Sequence, residues 1–288
     1  MQYLETINPT IFDKQIKFYD FYKVPESKTN EIKEHVYLIE DKEIYDYSVT
    51  TFVHSYFPHF NANIIINGIL KSRKWKTDES YQYYQKTKEE IKAMWDANGK
   101  EATTLGTAMH ERIEIFYNEV MMNSETNVPN ETPELRQFAN FHTEGPLQFR
   151  WVPWRTELRI YDEDLKIAGS VDMLYKSPKS TEKQTYLIMI DWKRSKEITK
   201  TSPYGKYANP PIQDLPDTNY HKYSLQLNVY KRLIEKHTPY IIEYMALGVF
   251  HPNQTAYQLI PVEPMASHVD KLFQARIDQL RKTTANKV

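Results

Sequence analysis

The sequence predicts an α/β protein, with helical segments and strands following one another along the chain, and three observations predict it. Apolar residues recur at helical spacing in long segments, most clearly Leu105, Met109, Ile113, Phe116 and Val120. Between helical segments lie runs rich in β-branched and aromatic residues at 154–161, 166–175 and 186–192. The chain, at 288 residues with 40% hydrophobic side chains, is also long enough to bury a sheet.

The elements follow in order. Residues 1–45 are polar, rich in Lys, Glu and Tyr, and weakly periodic; they read as an N-terminal extension, either a helix and strand docked on the core or a partly mobile segment. From 46 to 288 one domain is expected. Ser48, running into Phe52, Val53 and Phe57, predicts a short capped helix that ends before Pro58. Residues 79–97 predict a helix stopped by Asn98 and Gly99, and 101–122 a second whose apolar stripe is core. A helix at 133–141 precedes the three strands. Residues 194–220, with Pro203, Pro210, Pro211 and Pro216, cannot stay regular for long, and a connection of that length is usually functional or mobile. A helix at 222–236, strands at 241–250 and 256–261, and a helix at 264–281 complete the chain.

Composition narrows the chemistry. The absence of cysteine removes disulfides, thiolate zinc sites, cysteine nucleophiles and iron–sulfur clusters together. His, carboxylate and backbone oxygen remain as metal ligands, so any metal is hard or borderline. With 37 Lys and Arg against 38 Asp and Glu, the net charge of -1 excludes a protein that coats nucleic acid by bulk charge, while a local basic groove stays open. The apolar stretches at 186–190 and 240–250 fall short of the roughly 20 residues a spanning helix needs, and Glu243 interrupts the second. Residues 1–14 lack a basic start and a continuous apolar run, so an intracellular protein without a membrane span is expected.

Asp191 and Lys193 follow the apolar run Tyr186-Leu187-Ile188-Met189-Ile190, which reads as a buried strand whose last residues emerge from the sheet. Their i, i+2 spacing puts both on one face, where a carboxylate and an ammonium can grip a divalent cation and orient its water if another acid completes the site. Asp172 is that candidate. If 162–165 form a four-residue turn, Tyr161 faces Lys166 and Glu157 faces Ser170, which brings Glu157 and Asp172 to one side of a hairpin. Gly169 either lets a ligand backbone approach or marks a bulge. His110 lies one position off the apolar stripe, with its ring free to lean toward the sheet. Gln226 and Tyr230 are one helical turn apart and can project toward one cleft.

The ordered set Gly106-x-x-x-His110, Glu157, Gly169-Ser170-Val171-Asp172, Ile190-Asp191-Trp192-Lys193-Arg194-Ser195 and Gln226-x-x-x-Tyr230 resembles the RecB-type branch of the PD-(D/E)XK nuclease superfamily over about residues 46–250. That branch includes mitochondrial, viral and phage exonucleases and CRISPR-associated nucleases. The resemblance implies a restriction-endonuclease-like fold, a mixed central β-sheet flanked by α-helices, and a deoxyribonuclease leaving 5′-phosphates, most simply an exonuclease on DNA ends or single strands. It implies Mg²⁺ or Mn²⁺ on Asp172, Asp191, the Trp192 carbonyl and His110, with Glu157 in support. Lys193 would then polarise or deprotonate the attacking water, and Gln226 and Tyr230 would position the scissile strand. The residue before Asp172 is Val171 rather than the Pro of the name, and the missing cysteine sets the cluster-bearing members apart. A viral source is left open, and a protein partner is not indicated.

Further signals concern DNA contact. Ser48-Val49-Thr50-Thr51 resembles the branch's N-terminal Ser/Thr element, in which Ser48, Thr50 and Thr51 meet a phosphate, and reads equally as a plain helix cap. Lys71-Ser72-Arg73-Lys74-Trp75-Lys76 combines cations with an indole, as a single-strand groove does, and also reads as a solvated turn, with Arg73, Lys74 and Trp75 the contacts expected. Tyr81, Tyr83 and Tyr84 can stack bases if a groove passes there. Arg194 and Ser195 begin a connection able to close over a strand. His110-Glu111-Arg112-Ile113-Glu114 lacks the second His of a zinc peptidase helix. Two rival functions are a structure-specific endonuclease and a non-catalytic DNA-binding module.

Overall fold

The computed structural model describes residues 16–19, 36–39, 43–45, 47–122, 126–202 and 205–285. The chain divides into two compact units, one of Met1–Pro58 with His110–Val288 and one of His59–Met109.

The first unit begins with β1 (Ile16–Tyr19), β2 (Val36–Ile39) and β3 (Glu43–Tyr45), an antiparallel sheet of three strands. A helix expected within 1–45 falls outside the described residues. Next comes α1 (Val49–His54), whose first turn is closed by Ser48 Oγ accepting the Thr51 N–H at 2.9 Å.

The second unit holds α2 (Ala62–Lys71), α3 (Arg73–Thr77) and α4 (Lys88–Met121) up to Met109. Asn61 caps α2 and Ser72 caps α3, and Ile66 and Ile91 are fully buried. Here the sequence expectation fails twice. The helix starts at Lys88 rather than 79, because Thr87 and Glu90 form a reciprocal capping box: the Thr87 N–H donates to Glu90 Oε2 at 2.6 Å and the Glu90 N–H to Thr87 Oγ1 at 3.2 Å. It then runs through Asn98 and Gly99, since neither removes a backbone donor as proline would and Gly costs only about 1 kcal/mol against Ala. Leu105, expected in the core stripe, is exposed, as are all of 101–105; burial holds at Met109, Ile113 and Phe116, and Val120 is half-buried.

The rest of the first unit comprises α5 (Pro133–His142), β4 (Val152–Asp162), β5 (Ile167–Lys176), β6 (Tyr186–Arg194), α6 (Asn219–His237), β7 (Ile241–Phe250), β8 (Gln258–Pro261) and α7 (Ala266–Ala285). The five strands form one mixed sheet in the order β4-β5-β6-β7-β8. Only β6 and β7 run parallel, and α6 provides the long return that parallel neighbours need. The run Leu187 to Trp192 is buried at every residue because β6 is central and covered on both faces. A core cluster joins Leu174, Leu187, Met189 and Met245 of the sheet to Leu225, Val229 and Leu233 of α6 and Val269 and Leu272 of α7. Phe138 and Phe141 of α5 meet Trp192 and Phe250 edge-on, at ring distances of 5.4 to 6.2 Å. Gly248 makes room for the Trp192 ring, whose atoms would lie 2.7 Å from an added Cβ.

The hairpin register departs from expectation by two residues. Tyr161 pairs with Ala168 and Arg159 with Ser170, because the loop is 163–166 rather than 162–165. Asp162 stays in the strand, and its Oδ1 accepts the Leu165 N–H at 3.0 Å to fold the turn. An even shift preserves the facing of side chains, so the pairing of acids survives it. The connection between Arg194 and Asn219 is irregular, as its prolines require, yet Ala208, Ile212 and Leu215 are buried and tie it to the core. Pro203 lies outside the described residues. Among the described residues no helix is long and apolar enough to cross a membrane.

Candidate metal centre

Three adjacent strands bring three acids into one row. The β5–β6 ladder ends at the pair Met173 and Ile190, and the next position on each strand is Asp172 and Asp191. On the other side, the pairs Leu158 with Val171 and Thr156 with Met173 leave Glu157 at the level of Asp172. Glu157 departs from strand geometry, with φ at +44°, a left-handed conformation disfavoured for a side chain of its size. Its carboxylate is held by the Ser170 hydroxyl, which donates to Oε2 at 2.6 Å.

Beyond the end of the ladder the Trp192 N–H donates to Asp172 Oδ2 at 2.8 Å. The Trp192 carbonyl accepts from His110 Nε2 at 2.9 Å. A carbonyl can only accept, so Nε2 carries the proton of the neutral ring and the Nδ1 lone pair faces Asp172 Oδ2, 3.6 Å away. Donor atoms of His110, Glu157 and Asp172 all lie within 4.8 Å of one another. That spread, with an imidazole and two carboxylates as donors, fits a single hard or borderline divalent cation. Opposed lone pairs on His110 and Asp172 are what such an ion would relieve.

Asp191 stands apart from this trio and pairs with Lys193, Nζ to Oδ2 at 2.5 Å. The Lys193 ammonium also lies 4.7 Å from the centre of the Tyr223 ring. Side-chain exposures of 6% for Asp191, 12% for Asp172, 17% for Lys193 and 29% for His110 make the imidazole the most open member.

The electrostatics follow from crowding charge in a dry place. Burial and the neighbouring Lys193 push the His110 imidazole down to about 4, so it is neutral at pH 7. Burial and the Asp172 charge push Glu157 up to about 8, with Glu114, one turn beyond His110, adding to the effect. Asp172 is raised by burial against the opposing pull of Lys193 and the Trp192 N–H. Asp191 rises to about 6 through burial, although Lys193 opposes it. Burial alone would lower Lys193, but Asp191 and Asp172 outweigh it and hold the ammonium above its usual range.

The remaining predicted residues divide. Gln226 and Tyr230 are both buried on α6, and the Tyr230 ring closes over Gly169, where an added Cβ would sit 2.7 Å from its Cε1 and hydroxyl. Gly169 therefore admits a side chain of the protein itself, rather than the ligand backbone or bulge expected of it. The Arg194 guanidinium is committed to Glu134 at 2.5 Å, and the Ser195 hydroxyl to the Glu197 carbonyl at 2.9 Å. Ser48 is a buried helix cap, with Thr50 half-buried and Thr51 exposed. Arg73 and Lys74 are exposed, while Trp75 spends its indole N–H on the Lys86 carbonyl at 2.9 Å. Tyr223 escaped the sequence reading; its only signal was a position one turn before Gln226 and Leu227 on the same helix.

No family model matches the chain, and no curated protein matches it. Solved structures that match include one titled "Crystal structure of SSO0001", which is 16% identical, with 49% of this chain and 55% of that chain covered and a TM-score of 0.25. The chain thus spans about half the length of that protein.

Proposed function

We propose that this chain is a divalent-metal-dependent nuclease of the restriction-endonuclease-like kind, hydrolysing phosphodiester bonds in DNA, with ends or single strands as substrate and 5′-phosphates as product. The observation that carries the reading is the convergence of His110, Glu157 and Asp172 beside the Trp192 carbonyl, next to an Asp191–Lys193 pair. His110 through Nδ1, Asp172 and Glu157 would hold Mg²⁺ or Mn²⁺, with Asp191 completing the acidic row; the Trp192 carbonyl, accepting from His110 Nε2 on the far side of the ring, falls outside this set. When bound, such an ion supplies Lewis-acid stabilisation of phosphoryl charge and a more acidic water.

The chain's own groups account for the rest. Lys193, kept protonated between Asp191 and the Tyr223 face, donates a hydrogen bond and stabilises the negative charge of the transition state instead of acting as a base. The neutral His110 offers its Nδ1 lone pair, and its Nε2–H fixes the carbonyl of Trp192 in place. Ser170 orients Glu157 from the side. Tyr230 packs over Gly169, on the strand that carries Asp172.

Lys193→Ala is expected to abolish cleavage of end-labelled DNA in Mg²⁺ while binding of the same DNA persists. Full activity in that variant would overturn the assignment. Cutting of covalently closed circles would make the enzyme an endonuclease.

A further inference from the structure

The unit His59–Met109 carries a surface that the metal centre does not use. Phe60, next to the Asn61 cap of α2, is 70% exposed. Its ring lies 5.8 Å from that of Trp95. Trp95 in turn meets Tyr83 at 6.1 Å and donates its indole N–H to the Tyr83 hydroxyl at 2.7 Å, and Tyr83 meets Tyr81 edge-on at 5.3 Å. Each of the four rings keeps some exposure. The hydrogen bond fixes the indole, so the surface is ordered before anything binds it, which lowers the entropy cost of binding.

The same unit carries a concentration of positive charge. Lys71, Arg73, Lys74 and Lys76 fall within six residues that contain no acid. Among the described residues no ion pair joins Lys71, Arg73 or Lys76 to a carboxylate, whereas Lys74 acts on Asp78. Trp75 pins this cationic helix to the turn that carries Tyr81 and Tyr83, through its Nε1–H on the Lys86 carbonyl at 2.9 Å and its own carbonyl on the Gln85 N–H at 3.2 Å. Exposed π-faces on the same unit as Arg73 and Lys76, which among the described residues join no carboxylate, match a ligand that presents flat rings and regularly spaced negative charges together.

We propose that this unit binds single-stranded nucleic acid, with bases stacking on Phe60 and Trp95 and backbone phosphates meeting Arg73 and Lys76. A duplex keeps its bases stacked on one another and has no ring faces to offer. The binding needs neither metal nor cleavage, so it stands or falls apart from the catalytic reading.

The test is fluorescence anisotropy of the full chain with a labelled oligothymidylate of about 20 nucleotides in EDTA, over a series of salt concentrations. Wild type is expected to bind it more tightly than a duplex of equal length. Phe60→Ala is expected to weaken binding about 5- to 150-fold, the equivalent of 1–3 kcal/mol per stacked base, with the salt slope unchanged. Arg73→Gln with Lys76→Gln is expected to flatten the slope of log K against log salt by about 1.4, or 0.7 per lost phosphate contact. Phe60→Trp keeps a stacking face and is expected to bind at least as well as wild type. Absence of binding by wild type, wild-type affinity in Phe60→Ala, or equal affinity for the duplex would each overturn the proposal.

Discussion

Replacing Gly169 by alanine tests whether the sheet beneath the acids is built as described. The added Cβ would lie 2.7 Å from Tyr230 Cε1 and from its hydroxyl oxygen. Carbon atoms in good contact sit about 3.5–4.0 Å apart, so the ring or the strand must retreat by about 1 Å. Tyr230 is only 3% exposed and cannot swing into solvent. Overpacking of this kind costs about 1–3 kcal/mol, offset in part by the 0.5–1 kcal/mol that alanine recovers over glycine inside a strand. The central net loss is about 1 kcal/mol and at most about 2.5, and at about 2–4 °C per kcal/mol the unfolding midpoint falls by about 2–4 °C and at most about 10 °C. Gly99→Ala is the control: nothing lies within 4 Å of its added Cβ, and a helical glycine replaced by alanine should gain about 1 kcal/mol. Thermal unfolding followed by circular dichroism reads both. Tyr230→Leu combined with Gly169→Ala should recover part of the loss, because the clashing atoms are gone. A Gly169→Ala protein as stable as wild type would refute the packing argument.

Two other perturbations probe the same unit. Asp162 is fully buried at its side chain and accepts from Lys236 at 2.7 Å, His237 at 2.9 Å and the Leu165 N–H at 3.0 Å. Burial opposes ionisation, but these donors outweigh it and hold the carboxyl below the usual carboxylate range. A depressed folded-state pKa means the stabilisation is complete above the unfolded value of about 3.9 and fades as pH falls through the folded one. Asp162→Asn should therefore cost about 1.5–3 kcal/mol at pH 7 in urea unfolding, with the gap from wild type closing below about pH 4; a gap independent of pH would contradict it. Tyr117 links two buried partners, accepting from the Tyr175 hydroxyl at 2.6 Å and donating to His142 Nδ1 at 3.0 Å. Tyr117→Phe strands both and should cost about 1–3 kcal/mol in the same assay, and a neutral result would mean the chain of hydroxyls contributes nothing to stability.

Elements whose signal is local and covalent in origin were legible in the sequence. The strand at Ile241–Phe250 matches residue for residue, and the buried run of β6 announces its central place, because a strand covered on both faces has no polar alternation. The place of His110 one step off the apolar stripe was legible from helical spacing, while the carbonyl it meets, that of Trp192, was not. The start of α4 was readable in principle from Thr87 and Glu90, but the charged, tyrosine-rich 79–86 segment has helix-compatible composition and masked the capping box. Residues whose role depends on tertiary neighbours were not legible. Nothing local says that Arg194 will be taken by Glu134, sixty residues earlier, or that Tyr223 will shelter Lys193. Gly169 reads in sequence as a gap for a ligand or as a bulge, and only the position of α6 reveals that Tyr230 fills it.

The most direct measurement of the central claim is a paired assay of wild type and Asp191→Ala on end-labelled single-stranded and duplex DNA and on circles, with Mn²⁺, Mg²⁺ or EDTA. The account predicts cleavage by wild type in either metal, none in EDTA, and loss of about two or more orders of magnitude in the variant, because Lys193, the group that stabilises transition-state charge, loses the carboxylate that holds it in place. Cleavage that survives EDTA or Asp191→Ala, or a wild type that binds DNA and cuts none of these substrates in either metal, would contradict it.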